Sequence, residues 1–181
     1  MAESGSAAAS MDRMYRLQRH VYDLTRKFYL LGRDRMIEGL AVPEGGSVLE
    51  LGCGTARNLV LAARRYRTAR LCGIDISAEM LRTAQAAIAR QGLSGRVRVA
   101  QGDATSADPQ ALLGLARFDR VLVSYSLSMI PPWERVIEHG ASLLAPSGSL
   151  HVVDFGLGEH LPGFFNAGLR SWLARFHVTP R

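Results

Sequence analysis

Residues 48–58 read VLELGCGTARN. An apolar run gives way to a glycine turn and then to residues that suit a helix start. Strand, glycine turn and helix in this order mark the position of a nucleotide cofactor in a doubly wound sheet. Glycine lets a ligand approach the backbone closely, because no Cβ stands in the way. A dinucleotide fingerprint needs a further glycine at the third position after the second one. That position is Arg57, which argues against a nicotinamide oxidoreductase. The spacing is instead Glu50-x-Gly52-x-Gly54-x-Ala56.

Outward from this turn, β-rich apolar runs alternate with helical stretches. Strands are predicted at 47–51, 70–76, 96–102, 118–125 and 149–155. Helices are predicted at 56–66, 77–91, 109–116 and 133–144. Ser77, with Met80 and Leu81 behind it, fits an N-cap and first turn. Pro132 suits the first turn of the last of these helices. "PEGG" at 43–46 is a turn, and Gly148 is expected to close the turn into the last strand. This alternation predicts an α/β fold with a doubly wound, mostly parallel, Rossmann-like sheet.

Before the first strand, Met14, Leu17, Val21, Leu24, Phe28 and Leu31 recur at steps of three and four, the stripe of an amphipathic helix. Tyr15, Tyr22 and Tyr29 run beside that seam. Gly32 is expected to end this helix, with a short second one over 33–40. The predicted organisation is a disordered lead over 1–10, an N-terminal helical cap over 11–42 and the α/β domain over 43–181. At the far end, Phe165, Leu169, Trp172, Leu173 and Phe176 form another helical stripe.

The chain has 181 residues, 48% of them hydrophobic and 21% charged, as expected of a globular domain with one substantial core. No apolar run is long enough to span a bilayer, and the first ten residues do not form a secretory signal. Cys53 and Cys72 are the two cysteines. They suggest neither a disulfide framework nor a metal site, and a cytoplasmic location is expected. Net charge is +6, and all but one of the 22 basic residues are arginine. Such a surface attracts anions, and nucleic acid and an anionic membrane are both candidates. Residues 15–35 carry six basic side chains against two acidic ones.

The glycine spacing resembles that of class I S-adenosylmethionine-dependent methyltransferases, with alanine at the third glycine position. The resemblance implies S-adenosyl-L-methionine as cofactor, with Glu50, Gly52, Cys53 and Gly54 forming the turn around it. In that family an acid ending the second strand holds the ribose hydroxyls, and Asp75 in "GIDIS" matches. Asp103 in "QGDAT", followed by Ala104, falls where the family binds the adenine amino group. Ile76 and Met80 are candidates to sandwich the adenine. Ser124 in "SYSLS" ends the fourth strand, where the family meets the methionine part and the substrate.

A more specific resemblance rests on "QRHVYDLTRKFYLLGRDR", "LELGCGTARN", "FDRVLVSYSLSMIPPWE", "HVVDFG" and "WLARFHVTPR". These are similar to bacterial betaine-lipid N-methyltransferases, which methylate the amine of diacylglycerylhomoserine and are related to phosphatidylethanolamine N-methyltransferases. The resemblance implies a lipid amine substrate at an anionic membrane surface, a peripheral position on its inner face, and no nucleic-acid partner. It also implies an aromatic lining for an amine that gains positive charge, worth about 0.5–2 kcal/mol per ring. Tyr15, Tyr22 and Tyr125 are candidates for this lining, and Tyr29 for packing. One small pocket does not hold all three N-terminal tyrosines, because seven helical residues span about 10 Å.

Arg16, Arg19 and Arg26 are candidates for the homoserine carboxylate. His20, Asp154 or a tyrosine hydroxyl are candidates to accept the amine proton. Trp133 is read either as a wall of the acceptor pocket or as core. Phe164, Phe165, Trp172 and Phe176, with Arg170 and Arg175, are read either as a membrane-facing patch or as packing on the sheet. Compared with the family, the sheet is expected to lack its last strands. The fifth strand would then be an edge, which lowers stability or is covered by a second copy in a homodimer. A phosphoethanolamine or small-amine acceptor, or a non-catalytic cofactor-binding partner protein, are the alternatives.

Overall fold

A computed structural model describes residues 32–155. Five strands form one parallel sheet: β1 (Ser47–Leu51), β2 (Arg70–Asp75), β3 (Val97–Gln101), β4 (Phe118–Ser124) and β5 (Leu144–Val153). The helices are α1 (Arg33–Gly39), α2 (Arg57–Arg65), α3 (Ala78–Arg90), α4 (Pro109–Leu113) and α5 (Trp133–Ser142), with a 3₁₀ turn at Leu127–Met129. Strand order is β3-β2-β1-β4-β5. The order reverses between β1 and β4, so the crevice at their carboxyl ends is the topological switch point where ligands bind in such sheets.

β1 is buried along its whole length, as a central strand covered on both faces must be. Successive side chains point to opposite faces. Val48 therefore joins Leu59, Leu71, Ala84 and Leu122 in one core. Leu49 and Leu51 join Ile74, Phe118, Val121 and Val136 in the other. Truncating any of these buried leucines to alanine is expected to cost about 2–5 kcal/mol.

Most predicted elements lie within two residues of their expected ends, and each exception has a physical cause. The helix expected to reach 116 stops at Leu113, because Gly114 turns left-handed at φ 79°. The helix expected to reach 144 stops at Ser142, and β5 begins at Leu144 rather than at 149. The cause is tertiary: Leu144 pairs with Phe118, the register then breaks, and pairing resumes at Ser149 opposite Arg120. Gly148 lies inside that irregularity rather than in a turn before the strand. A Cβ there would stand 2.9 Å from the carbonyl oxygens of Ala145 and Phe118. Pro132 occupies the N-cap of α5, one residue before its first turn. The turn at 43–46 is closed by a 2.9 Å bond from Gly46 N to Pro43 O. Ser77 caps α3 as expected, its hydroxyl accepting from Met80 N at 3.3 Å.

Candidate active site

The glycine turn leaves β1 in an unusual alternation. Gly52, Gly54 and Ala56 all have positive φ, at 73°, 52° and 59°. The third of these is not glycine, and a left-handed alanine costs about 1–2 kcal/mol. Ala56 therefore adopts the backbone conformation that a glycine adopts without strain, and it does so fully buried at the N-cap of α2. A Cβ on Gly54 would meet nothing within 4 Å. A Cβ on Gly52 would stand 2.6 Å from Ser126 Cβ. The turn is thus open at Gly54 and closed at Gly52, where the loop after β4 rests on it.

Neighbouring strand ends hold the turn in place. Gly52 and Cys53 donate their N–H groups to Ile74 O at 2.8 and 3.0 Å. Gly54 N donates to Asp75 Oδ2 at 2.7 Å, and Ser77 N donates to Asp75 Oδ1 at 2.9 Å. Asp75 thereby links the first two strand ends and fixes where its own carboxylate sits. Glu50, 1% exposed, accepts from Asn58 Nδ2 at 2.7 Å, which joins the acid of β1 to the first turn of α2. Asp103 follows β3 and accepts from Thr105 N and Thr105 Oγ1 through Oδ1, at 2.8 and 2.7 Å. Its Oδ2 has no hydrogen-bond partner among the described residues. Ala104 and Met80 are buried beside these ends, and Ile76 is half-buried.

The Cys53 side chain points elsewhere. It packs where a Cβ on Gly73 would meet its Sγ at 2.8 Å, under β2. Burial pushes its thiol well above the ordinary range, and the charges of Asp75 and Glu50 push the same way. Cys53 shapes the turn and is not a nucleophile at neutral pH.

The loop after β4 forms the other wall. Tyr125 is left-handed at φ 54°, an outlier for a bulky side chain and a store of about 1–3 kcal/mol of strain. Its N–H still donates to Val153 O at 2.8 Å, which pins the loop to β5. Its ring meets Phe155 edge-on, with centroids 4.8 Å apart. Burial raises the Tyr125 hydroxyl pKa; Arg33 opposes the shift and Asp154 adds to it. Asp154 accepts from Ser128 N at 3.2 Å and from Phe155 N at 2.7 Å. Ser126 Oγ donates to Leu51 O at 3.2 Å. The hydroxyls of Ser124 and Ser128 are buried and have no partner among the described residues. Trp133 packs against the core cluster of Leu49 and Val136.

Glu50, Gly52, Cys53, Gly54, Asp75, Ile76, Met80, Asp103, Ala104, Ser124 and Tyr125 thus fall on or beside the carboxyl edge of the sheet. Tyr15, Tyr22, Tyr29, His20, Arg16, Arg19 and Arg26 lie outside the described residues, as do Phe164, Phe165, Arg170, Trp172, Arg175 and Phe176. Three contributors were not singled out from sequence: Asn58, which holds Glu50; Ser126, which locks the turn against β4; and Phe155, which backs Tyr125. Asn58 carried a local signal, a polar residue eight positions after the acid on an otherwise apolar helix face.

Residues 48–148 match the family described as "Methyltransferase domain". The chain belongs to that family. Its cofactor is S-adenosyl-L-methionine, and the open backbone at Gly54, with Asp75 and Asp103 at the next two strand ends on one side of it, fits that group. Among curated relatives, a phosphatidylethanolamine N-methyltransferase of Cereibacter sphaeroides is 32% identical over 136 residues, 75% of this chain and 62% of that protein. The chain therefore spans less than two thirds of this relative's length. A solved Haloferax volcanii protein, in complex with the methyltransferase activator Trm112, superposes with a TM-score of 0.71 at 19% identity, over 93% of this chain and 70% of that one. The [4+2]-cyclase SpnF superposes with a TM-score of 0.63 at 27% identity, over 70% of this chain and 45% of its own. The methyltransferase fold is clear, and the cyclase shows that the fold alone does not fix the chemistry.

Proposed function

We propose that this protein transfers methyl groups from S-adenosyl-L-methionine to the amine of a lipid head group, with diacylglycerylhomoserine as the acceptor. The observation that carries the reading is the carboxyl edge: an open left-handed turn at Gly54 after β1, with Glu50, Asp75 and Asp103 beside it and the strained, buried Tyr125 after β4 on the other side of the switch point. The similarity to the Cereibacter sphaeroides enzyme supports a lipid amine as the acceptor class. No helix among the described residues is long and apolar enough to cross a membrane, which is compatible with work at a membrane surface.

When bound, S-adenosyl-L-methionine supplies a methyl group on a positively charged sulfur, open to attack by an amine lone pair. Asp75 and Asp103 hold the nucleoside end, carboxylate oxygens accepting from hydroxyl and amino donors. The four carboxylates along this edge, Glu50, Asp75, Asp103 and Asp154, favour cations over anions in a protein of net charge +6. Tyr125, packed on Phe155 and 7% exposed, is an aromatic residue at this edge whose ring would attract an amine gaining charge. With its pKa raised, the Tyr125 hydroxyl stays protonated near neutral pH, so it donates a hydrogen bond and does not act as the base. Most of the rate then comes from holding amine and methyl donor in line. Tyr15, Tyr22 and His20 belong to this proposal as further lining and proton acceptor.

A second reading takes the ethanolamine amine of a phospholipid as acceptor, and the same relative favours it. Labelled S-adenosyl-L-methionine incubated with the protein and each lipid in detergent micelles decides between them. Label is expected in diacylglycerylhomoserine ahead of phosphatidylethanolamine or a soluble amine. A thermal shift with the cofactor but no label in any lipid would refute the reading and leave a cofactor-binding partner protein.

A further inference from the structure

A second concave surface lies beside the glycine turn, on the outer face of α2 and α3. It encloses about 470 Å³ and is lined by Thr55, Arg57, Val60, Leu61, Arg64, Arg90 and their neighbours. Among the described residues no acidic side chain lines it. Arg57 is paired with Asp34 at 3.0 Å, and Arg64 donates to Gln91 at 2.8 Å. Each guanidinium has five N–H donors, so these bonds leave most of them available. The Arg90 side chain is exposed at the end of α3.

The lining has two chemistries. Val60, Leu61 and Ala87 supply an apolar strip, and the arginines stand around it. An amphiphilic anion matches both parts: a phosphate pairs with planar forks, and the carbon backbone behind it covers the strip. A single-stranded nucleic acid would want aromatic side chains to stack on, and the described residues of the lining include none. Thr55 lies between Gly54 and Ala56, so the groove and the cofactor turn share one loop. A lipid seated here would bring the bilayer surface to the mouth of the site.

We propose that this groove seats the phosphate and glycerol of an anionic membrane phospholipid and thereby docks the protein on the bilayer. The proposal deepens the lipid-amine reading and rests on it for its purpose, but not for its measurement. The test is co-sedimentation with vesicles of phosphatidylcholine alone, or with about one third phosphatidylglycerol, which gives a surface that attracts each nearby arginine. Wild-type protein is expected to need phosphatidylglycerol and to dissociate as salt rises. Replacing both Arg64→Gln and Arg90→Gln is expected to lower partitioning about tenfold, and Arg64→Lys with Arg90→Lys, which keeps the charge but not the planar forks, to restore only part of it.

The glutamine pair must keep its melting midpoint and its shift with S-adenosyl-L-methionine; if it misfolds, Arg90→Gln alone is used, with a smaller loss expected. Partitioning equal to wild type would overturn the proposal. So would displacement of wild-type protein from the vesicles by an oligonucleotide that the glutamine pair no longer binds. Methyl transfer to lipid in micelles needs no bilayer docking, so it reports on the proposed function separately. Micellar activity without a groove effect would sink this inference alone; a groove effect without micellar activity would sink the other alone.

Discussion

The two ends of the sheet are built on opposite principles. At the amino end, polar groups are spent on the backbone. Arg120 donates to Leu40 O, to Ala41 O at 2.7 Å and to Asp119 O at 2.6 Å. Arg96 reaches Ala63 O at 2.8 Å, Tyr66 O at 3.1 Å and Ala69 O at 3.4 Å. The Tyr66 hydroxyl closes the end of α1 by donating to Ile37 O at 2.9 Å. Each end has two left-handed residues that are not glycine, Ala41 and Ser147 at the amino end, Ala56 and Tyr125 at the carboxyl end, but only the carboxyl end adds the open glycine turn at Gly52 and Gly54. Two buried serine hydroxyls there have no partner among the described residues. Satisfied groups make one end a clamp. Unused polar atoms and an open turn mark the other as a candidate site.

If that contrast is right, substitutions at the two ends separate stability from binding. The largest effect is expected from Gly52→Ala. It combines a left-handed alanine with a Cβ 2.6 Å from Ser126. The sum is a loss of about 3 kcal/mol, together with loss of the cofactor-induced thermal shift as the turn moves off Asp75. A variant that melts near wild type and still shifts with S-adenosyl-L-methionine would mean that Ser126 does not hold the turn.

Arg120→Met comes next, on the other end. Its aliphatic stem is retained, but two carbonyls between α1 and β1 lose their donor. A loss of about 2 kcal/mol in urea unfolding is expected. Cofactor affinity should not change, because nothing on the carboxyl edge touches Arg120. A parallel fall in affinity would show that the two ends are coupled and would break the contrast.

How far each end could be read from sequence follows from the range of the forces involved. The central strands were legible because burial on both faces writes a continuous apolar run, as in Ser47–Leu51. Asp75 and Asp103 were legible because an acid at a strand end is a local signal. The left-handed turns at Ala56 and Tyr125 were not, since no glycine marks them. The start of β5 at Leu144 was hidden for another reason. Leu144 and Ala145 suit a helix locally, and only pairing with Phe118 makes this stretch a strand. Ser126 against Gly52 is likewise a contact between distant segments.

The smallest expected effect tests whether the amino-end clamp is partly ionic. Asp119 accepts from Ser47 N at 2.8 Å and from Ser47 Oγ at 2.9 Å, while its own N–H donates to Ser47 Oγ at 3.2 Å. The bond from Ser47 N is the main cause that lowers its pKa; the Ser47 hydroxyl and Arg120 help, against a desolvation that opposes them. A depressed carboxylate binds its proton more weakly in the folded state. It therefore stabilises the fold above its unfolded value of about 3.9, and this stability is lost as pH falls through the lower folded value. The carboxylate is partly exposed, so screening holds the contribution under about 1 kcal/mol. Asp119→Asn should lower the urea midpoint at neutral pH and converge with wild type in strong acid. If the two proteins instead stay equally far apart across the acid range, Asp119 serves through hydrogen-bond shape alone, and the clamp owes nothing to its charge.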